Sequence, residues 1–213
     1  MRGLYIALEG PEGAGKTTQL RRLAARLRAA GLEVVEVREP GGTAVGELLR
    51  SILEDPAHRT LTPEAEALLF AAARAQLLRE VVRPALEQGR TVLSDRSVYA
   101  SLAYQGFGRG LGLEAVWSVN HLATGGLLPD LVILLDLPVE EGLRRDTRKA
   151  SAGDRIGRED VAFHRRVREG YLSLSREDPR IRVVAADQDA DRVESCIWGE
   201  VRRLVESRGG TAG

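Results

Sequence analysis

The sequence is poor in several residue types, and each shortage excludes a class of protein. Its 213 residues include one cysteine, Cys196, so no internal disulfide can form, and the three histidines leave no Cys/His metal cluster to propose. Basic and acidic residues each number 31, so no net positive field favours general nucleic-acid binding. No apolar run approaches the roughly 20 residues that span a bilayer, and the first residues turn acidic too early for a signal peptide. We therefore expect a cytoplasmic protein without a nucleic-acid or membrane partner.

Lysine is also scarce, because Lys16 and Lys149 are the only lysines among the 31 basic residues. In a chain that otherwise uses arginine, a lysine marks a position where a compact ammonium is required and a planar guanidinium does not fit. Lys16 is therefore a functional candidate even before its neighbours are considered.

The residues that are abundant predict one globular domain over residues 1–213, with 43% hydrophobic and 29% charged side chains. Short apolar runs predict five buried strands at residues 4–8, 34–37, 91–93, 131–135 and 181–184. Helical patterns follow them at residues 17–30, 63–87, 114–123, 160–174 and 189–206. This alternation predicts an α/β fold, with a five-stranded parallel sheet, helices on both faces and ligands at the carboxyl ends of the strands.

The most specific motif follows the first predicted strand. Residues 10–17 match G-x-x-x-x-G-K-[ST] between a strand and a helix, which is the setting that a phosphate-binding loop requires. Backbone N–H groups and the helix N-terminus would bind phosphates, Lys16 would add a point charge, and Thr17 would bind Mg²⁺. Glu12 is unexpected beside a polyphosphate, so it either faces solvent or meets a neutral hydroxyl of a second substrate.

Charged residues stand at two other strand ends. Asp95 and Arg96 follow the third predicted strand, where the carboxylate could hold Mg²⁺ and the guanidinium a phosphate; the alternative is a local ion pair. Arg38 begins a Pro- and Gly-rich segment, which predicts a rigid turn at the same edge; the alternative is a plain connecting loop.

Two further patterns fit nucleotide chemistry. Residues 143–158 hold six basic side chains around a small-residue hinge, as expected for a helical lid over a transferring phosphoryl group. The alternative is a solvated charged helix, which has the same sequence pattern. Phe70 and Arg74 lie four apart on one predicted helix, where they could stack on and hydrogen-bond a planar base. The alternative is a core phenylalanine beside a surface arginine.

Taken together, these segments resemble the thymidylate kinases, members of the P-loop nucleoside monophosphate kinases, over nearly the whole chain. The phosphate loop alone indicates only a nucleoside triphosphate site, whereas the ordered combination is specific. The segments that carry the resemblance are residues 8–18, 38–43, 69–74, 95–96, 103–106 and 129–131.

The resemblance implies transfer of the ATP γ-phosphate to dTMP, with Mg²⁺ as cofactor, by a homodimer. It implies an ATP site at the phosphate loop, formed by Gly10, Pro11, Glu12, Gly13, Ala14, Gly15, Lys16, Thr17 and Thr18. Metal binding would involve Thr17 and Asp95, and catalysis would involve Lys16, Asp95, Arg96 and Arg148. The acceptor site would consist of Glu12, Arg38, Phe70, Arg74, Arg96, Ser101, Tyr104 and Gln105.

Within that acceptor site, the resemblance implies that Glu12 meets the sugar 3′-hydroxyl and that Tyr104 lies against the deoxyribose. Because the phosphate loop contains no arginine, the chain is similar to the bacterial type, which supplies the catalytic arginine from the lid. Arg148 is the first candidate, followed by Arg144 and Arg155. Another nucleoside monophosphate kinase and a nucleotide-binding switch ATPase are the rival functions.

Overall fold

A computed structural model describes residues 2–145 and 155–209, and a parallel sheet lies at its centre. The strands are β1 (Tyr5–Glu9), β2 (Val34–Arg38), β3 (Thr91–Asp95), β4 (Leu131–Asp136) and β5 (Ile181–Ala185). Their order across the sheet is β2-β3-β1-β4-β5, and each neighbouring pair is parallel. The predicted five-stranded parallel sheet is confirmed. Because all strands point the same way, their carboxyl ends meet at one edge.

Helices connect the strands and cover the sheet. They are α1 (Lys16–Ala29), α2 (Ala44–Glu54), α3 (Pro63–Leu77), α4 (Arg83–Glu87), α5 (Val98–Ser101), α6 (Leu113–Thr124), α7 (Val139–Arg145), α8 (Val161–Glu177) and α9 (Ala190–Ser207). Two π-helical segments, Leu78–Val82 and Leu102–Gly108, lie between them. Residues 146–154 of the predicted lid lie outside the described residues, so the single domain with a lid at 143–158 remains a prediction.

The prediction of one continuous helix over residues 63–87 is wrong in its centre. The chain passes from α3 through the π-helical turn Leu78–Val82 into α4, whose second residue is Pro84. Proline has no N–H to donate and its ring collides with the carbonyl four residues earlier in an α-helix. The wider π turn just before Pro84 accommodates both defects.

The alternating side chains of the strands separate two apolar layers. Ile6 and Leu8 of β1 pack with α1 and α9, while Ala7 packs with α8 and the segment Leu102–Gly108. Tyr5 packs with the region of the π turn and α4. Helices therefore lie on both faces of the sheet and leave its carboxyl edge for the loops that could bind a ligand.

Candidate active site

The phosphate-binding loop joins β1 to α1, and its path requires glycine. Gly13 has a φ of 71°, and a Cβ at this position would lie 2.1 Å from the carbonyl oxygen of Gly142. Only glycine therefore lets the loop press against α7. Since α1 begins at Lys16, the N–H groups of its first turn and the positive end of its dipole lie at the loop.

Lys16 is buried inside this loop. Its Nζ donates to the carbonyl oxygens of Gly10, at 3.1 Å, and Pro11, at 2.9 Å. These carbonyls are neutral, so an anionic phosphate would be a stronger partner for the same ammonium. The contact of Lys16 with the ATP phosphates remains a prediction.

The two predicted metal ligands are in direct contact. Thr17 Oγ1 donates to Asp95 Oδ2 at 2.7 Å, which joins the start of α1 to the end of β3. A hydroxyl and a carboxylate are hard oxygen donors, and Mg²⁺ is usually held by one or two carboxylates together with water and substrate phosphates. The donor set therefore fits Mg²⁺.

Arg96 is the centre of a buried polar cluster. Its Nη2 donates to Glu12 Oε1 at 2.7 Å and to the Tyr104 hydroxyl at 3.0 Å, and that hydroxyl donates to Glu12 Oε1 at 2.8 Å. Burial acts to lower the pKa of Arg96, but nearby acidic groups, including the Glu12 and Glu9 carboxylates, outweigh it and raise that pKa. Burial raises the pKa of Tyr104 well above its ordinary value, so its hydroxyl keeps the proton that it donates.

The backbone of Arg96 is held in an unusual conformation. Its φ of 77° lies in the left-handed region, which non-glycine residues seldom adopt. The Arg96 N–H donates to the carbonyl of Leu8 at 3.0 Å, and its carbonyl accepts from Ser94 Oγ at 2.6 Å. These bonds orient the guanidinium towards Glu12, and backbone strain of this kind is concentrated at functional sites.

A second layer supports Arg96 from behind. Glu9, fully buried at the end of β1, accepts from the Ser97 N–H and hydroxyl, each at 2.7 Å, and from the Tyr171 hydroxyl at 2.7 Å. Tyr171 in turn accepts from Arg96 Nη1 at 3.2 Å. Burial raises the pKa of Glu9, while the charge of Arg96 and the bonds from Ser97 oppose the change.

The proposed base pocket has one half-buried aromatic wall and polar residues around it. Phe70, Ser101, Tyr104 and Gln105 all line one cavity. Arg74 lies behind this wall with only 2% of its surface exposed. Its guanidinium donates to Ser101 Oγ and the Ser97 carbonyl, both at 3.0 Å, and also to Asn120.

Arg74 also forms a buried ion pair. Its Nε lies 2.7 Å from Glu39 Oε2, at the end of β2. Burial raises the pKa of Glu39, and the charge of Arg74 opposes this rise. The described contacts of Arg74 are thus with protein groups, so its predicted bond to the base edge remains a prediction.

A single cavity of about 440 Å³ connects the phosphate loop with the base pocket. Among the predicted site residues, those on its wall are Glu12, Gly13, Gly15, Lys16, Thr17, Thr18, Arg38, Phe70, Asp95, Arg96, Ser101, Tyr104 and Gln105. Gly10, Pro11, Ala14 and Arg74 are not part of the described wall. The sites predicted for a nucleoside triphosphate and for an acceptor are therefore continuous.

Comparisons with known proteins identify the family. A family model described as thymidylate kinase matches residues 8–197. The chain belongs to the thymidylate kinase family. It is 53% identical to the thymidylate kinase of Deinococcus radiodurans over 94% of this chain and 97% of that protein. It is 51% identical to the thymidylate kinase of Desulforudis audaxviator, over 98% of this chain and 94% of that protein.

A solved structure of the thymidylate kinase family agrees with the fold. The crystal structure of the thymidylate kinase from Ehrlichia chaffeensis matches with a TM-score of 0.77 at 28% identity, covering 95% of this chain and 99% of that one. The expected membership in this family and the P-loop kinase fold are both confirmed.

The lid arginines predicted for this family member have different surroundings. Arg148 lies outside the described residues. Arg144 is exposed and pairs with Glu141, whereas Arg145 reaches the cavity wall and donates to the Ala186 carbonyl at 3.0 Å. Arg155 is almost fully buried and donates to Glu66 Oε2 at 2.6 Å. Among the described lid arginines, Arg145 is the one that lines the cavity.

Arg38 lines the cavity, as expected for a substrate ligand, but it already has an anionic partner. Its Nη2 donates to both carboxylate oxygens of Glu47, at 2.9 and 2.7 Å. A hydrogen bond from the Gly42 N–H, together with Arg38, lowers the pKa of Glu47. A substrate phosphate would have to compete with this carboxylate, and the predicted role of Arg38 remains untested.

Several site residues were missed by the sequence reasoning. Arg50 and Glu54 line the cavity from α2, a helix that the sequence analysis did not predict. Its start is visible in retrospect, because Thr43 Oγ1 caps it by accepting from the Gly46 N–H at 2.9 Å. Tyr171 gives no sequence signal, since only the fold brings α8 next to Arg96.

Within residues 2–145 and 155–209, no helix has both the length and the apolar character needed to cross a membrane.

Proposed function

We propose that this chain transfers the γ-phosphate of ATP to dTMP, forming dTDP and ADP. The observation that carries the proposal is the single cavity in which the phosphate loop with Lys16 faces the buried cluster of Glu12, Arg96 and Tyr104. Phosphoryl transfer needs little covalent participation from the protein and depends on positioning and charge stabilisation. A cavity that contains both a phosphate loop and a polar acceptor pocket meets that requirement.

The proposed roles follow the geometry. Lys16 exchanges its carbonyl partners for the β- and γ-phosphates of ATP, and Arg96 binds the acceptor phosphate. Glu12 accepts a hydrogen bond from the sugar 3′-hydroxyl, because Arg96 and Tyr104 hold its carboxylate at the cavity wall. Phe70 stacks on the thymine ring, whose edge meets Ser101 and Gln105.

Mg²⁺ is part of the proposal. Thr17 and Asp95 would hold it, since their side-chain oxygens are 2.7 Å apart at the cavity wall. When bound, the ion would neutralise charge on the phosphate oxygens. An arginine of the lid would complete the stabilisation of the negative charge on the transferring phosphoryl group. Arg148 is the first candidate, and Arg145 is the alternative among the described residues.

A coupled assay of ADP production tests the function. With ATP and Mg²⁺, we expect rapid turnover with dTMP and much slower turnover with dCMP, dGMP and dAMP. ATP without an acceptor is expected to give almost no ADP. A preference for another monophosphate would indicate a different monophosphate kinase, and acceptor-independent hydrolysis would indicate a switch ATPase.

We also propose a homodimer located in the cytoplasm. Three large apolar side chains are exposed on helices that pack side by side: Leu48 on α2 at 68%, Leu68 on α3 at 57% and Leu122 on α6 at 88%. Exposed apolar surface of this kind is typical of an interface, and a second copy of the chain is the proposed occupant. The exposed lone thiol of Cys196 is consistent with a reducing compartment.

A further inference from the structure

A buried carboxylate lies next to the base pocket and takes no part in the proposed chemistry. Glu66 of α3 is only 1% exposed and does not belong to the described cavity wall. Its Oε1 accepts from Gln105 Nε2 at 2.8 Å and from Arg109 Nε at 3.1 Å. Its Oε2 accepts from Arg109 Nη2 at 3.0 Å and from Arg155 Nη2 at 2.6 Å.

The two arginines keep Glu66 ionised and fixed. Burial acts to raise the pKa of Glu66, but the hydrogen bonds and charge of Arg109, with help from Gln105 and Arg155, hold that pKa below its ordinary value. Both arginines are anchored elsewhere as well. Arg109 Nη1 donates to Glu159 at 2.5 Å, and Arg155 Nε donates to the Leu53 carbonyl at 3.1 Å.

An ionised carboxylate only accepts hydrogen bonds, and this restricts its neighbour. The amide of Gln105 has a donating –NH₂ end and an accepting carbonyl end of nearly the same shape. Glu66 can pair only with the –NH₂ end, so it turns the carbonyl oxygen of Gln105 away from itself. Gln105 lines the cavity, so the orientation of its amide determines which hydrogen-bonding groups a bound base meets.

We propose that Glu66 is a positioning residue for acceptor selectivity, which fixes the amide of Gln105 so that its carbonyl faces the base. The inference rests on the proposed function. A carbonyl acceptor matches a pyrimidine with an N–H at N3, as in thymine and uracil, and repels one with a lone pair there, as in cytosine. Arg109 and Arg155 act indirectly by holding Glu66.

The test is Glu66→Gln, which keeps the size of the side chain but offers Gln105 both a donor and an acceptor. The amide of Gln105 is then free to flip. We expect the KM for dTMP to rise about 10-fold and the preference for dTMP over dCMP in kcat/KM to fall at least about 10-fold, while kcat for dTMP changes little. Loss of one well-oriented hydrogen bond accounts for changes of this size.

Glu159→Gln is the matched control. It removes the other carboxylate bound to Arg109, yet Glu159 makes no described contact with Gln105 or Arg155. It is expected to leave KM and the dTMP preference within about 2-fold of the wild type. Equal loss of selectivity in both variants would overturn the proposal, because it would indicate a general effect of removing charge near Arg109.

A folded Glu66→Gln variant with unchanged KM and selectivity would also overturn it, as would a fall in kcat alone. If the variant does not fold, Arg109→Gln is compared with the double variant Glu66→Gln/Arg109→Gln, which differs only in the carboxylate. Selectivity lost only in the double variant supports the inference, and equal selectivity in the two rejects it. Absence of dTMP turnover in the wild-type enzyme would instead reject the proposed function.

Discussion

Lys16 is the residue for which sequence and geometry agree most closely. It is one of only two lysines in the chain, and its Nζ is enclosed between the carbonyl oxygens of Gly10 and Pro11. A guanidinium is planar and larger than an ammonium, so the same enclosure would exclude arginine. The shortage of lysine therefore has a local meaning at this position.

Replacing Lys16 is expected to stop phosphoryl transfer while preserving the fold. Lys16→Ala should lower kcat about 10²-fold or more, because the positive charge positioned next to the transferring phosphate is lost. Lys16→Arg should also lose most of its activity. Arg21→Lys, on an exposed position of the same helix, is the control and should be fully active. Near-normal turnover by Lys16→Ala in the coupled assay would contradict the kinase mechanism.

Phe70 and Arg74, four residues apart on α3, are expected to behave differently. Phe70→Ala should weaken dTMP binding by about 1–3 kcal/mol, the scale of stacking between a base and an aromatic ring, without changing ATP affinity. Arg74→Ala should in addition destabilise the fold by about 3–5 kcal/mol, because it leaves the buried carboxylate of Glu39 unpaired. Denaturant unfolding and KM measurements on both variants test this.

The measurements on Phe70→Ala and Arg74→Ala test whether spacing along a helix is enough to identify a pair of base-binding residues. Equal losses of dTMP and ATP affinity in Phe70→Ala would place the ring in the core and reject the stacking role. An Arg74→Ala variant of normal stability would mean that the ion pair with Glu39 contributes little to the folded state. Spacing alone could not separate these roles, because burial depends on packing between distant elements.

At the level of whole elements, the lid is the segment that we expect to supply positive charge to the transferring phosphoryl group. Ala substitution of the catalytic lid arginine, Arg148 or Arg145, should lower kcat about 10²-fold while the KM for dTMP changes little. Arg144→Ala is the comparison: Arg144 and Arg145 both pair with Glu141, but Arg144 is the more exposed of the two and does not belong to the described cavity wall. Unchanged kcat values in both Arg145→Ala and Arg148→Ala would show that the charge comes from Arg96 or Arg38 instead.

Helix α8 is positioned by close packing against the segment Leu102–Gly108, which carries Tyr104 and Gln105. A Cβ at Gly170 of α8 would lie 2.6 Å from Phe107 Cγ. Gly170→Ala should therefore cost about 1–3 kcal/mol of stability through overpacking and raise the KM for dTMP. Calorimetric unfolding and initial rates provide the two measurements.

Gly199→Ala gives the matched comparison for Gly170→Ala. Gly199 also lies within a helix, α9, but no atom lies within 4 Å of a Cβ built there. Because alanine favours helix more than glycine by up to about 1 kcal/mol, this variant should be as stable as the wild type or more so. A Gly170→Ala variant that gains stability to the same extent would show that α8 is not closely packed there.

β1, β3 and β4 were predictable from sequence because a strand buried on both faces is a short, nearly continuous apolar run. The prediction that β2 and β5 are also buried is wrong, because they are the edge strands of the sheet and are partly exposed. β1 and β4 match their predicted positions to within one residue at each end. The segment Val98–Gly108 was not predicted, because its geometry depends on packing against α8. The phosphate loop was identifiable because its spacing is set by chemistry, whereas the support of Arg96 by Glu9 and Tyr171 joins β1 to α8 and has no local pattern.

At the scale of the whole molecule, the cavity and the exposed apolar surface share two elements. Helices α2 and α3 carry the exposed Leu48 and Leu68, and they also contribute Glu54 and Phe70 to the cavity wall. A partner that covers α2, α3 and α6 would therefore restrict the helices that shape the acceptor pocket. The oligomeric state is connected to the site through these helices.

The oligomeric state can be tested by placing a charge on this surface. Leu122→Glu should convert the proposed dimer into a monomer, because an unpaired carboxylate within an apolar interface is costly to desolvate. Val183→Glu is the control, since Val183 is also apolar and exposed, at 48%, but lies on the edge strand β5 and not on α2, α3 or α6. Sedimentation equilibrium should give twice the chain mass for the wild type and Val183→Glu, and the chain mass for Leu122→Glu. A monomeric wild type at assay concentrations, or a Leu122→Glu variant that remains dimeric, would contradict the proposed interface.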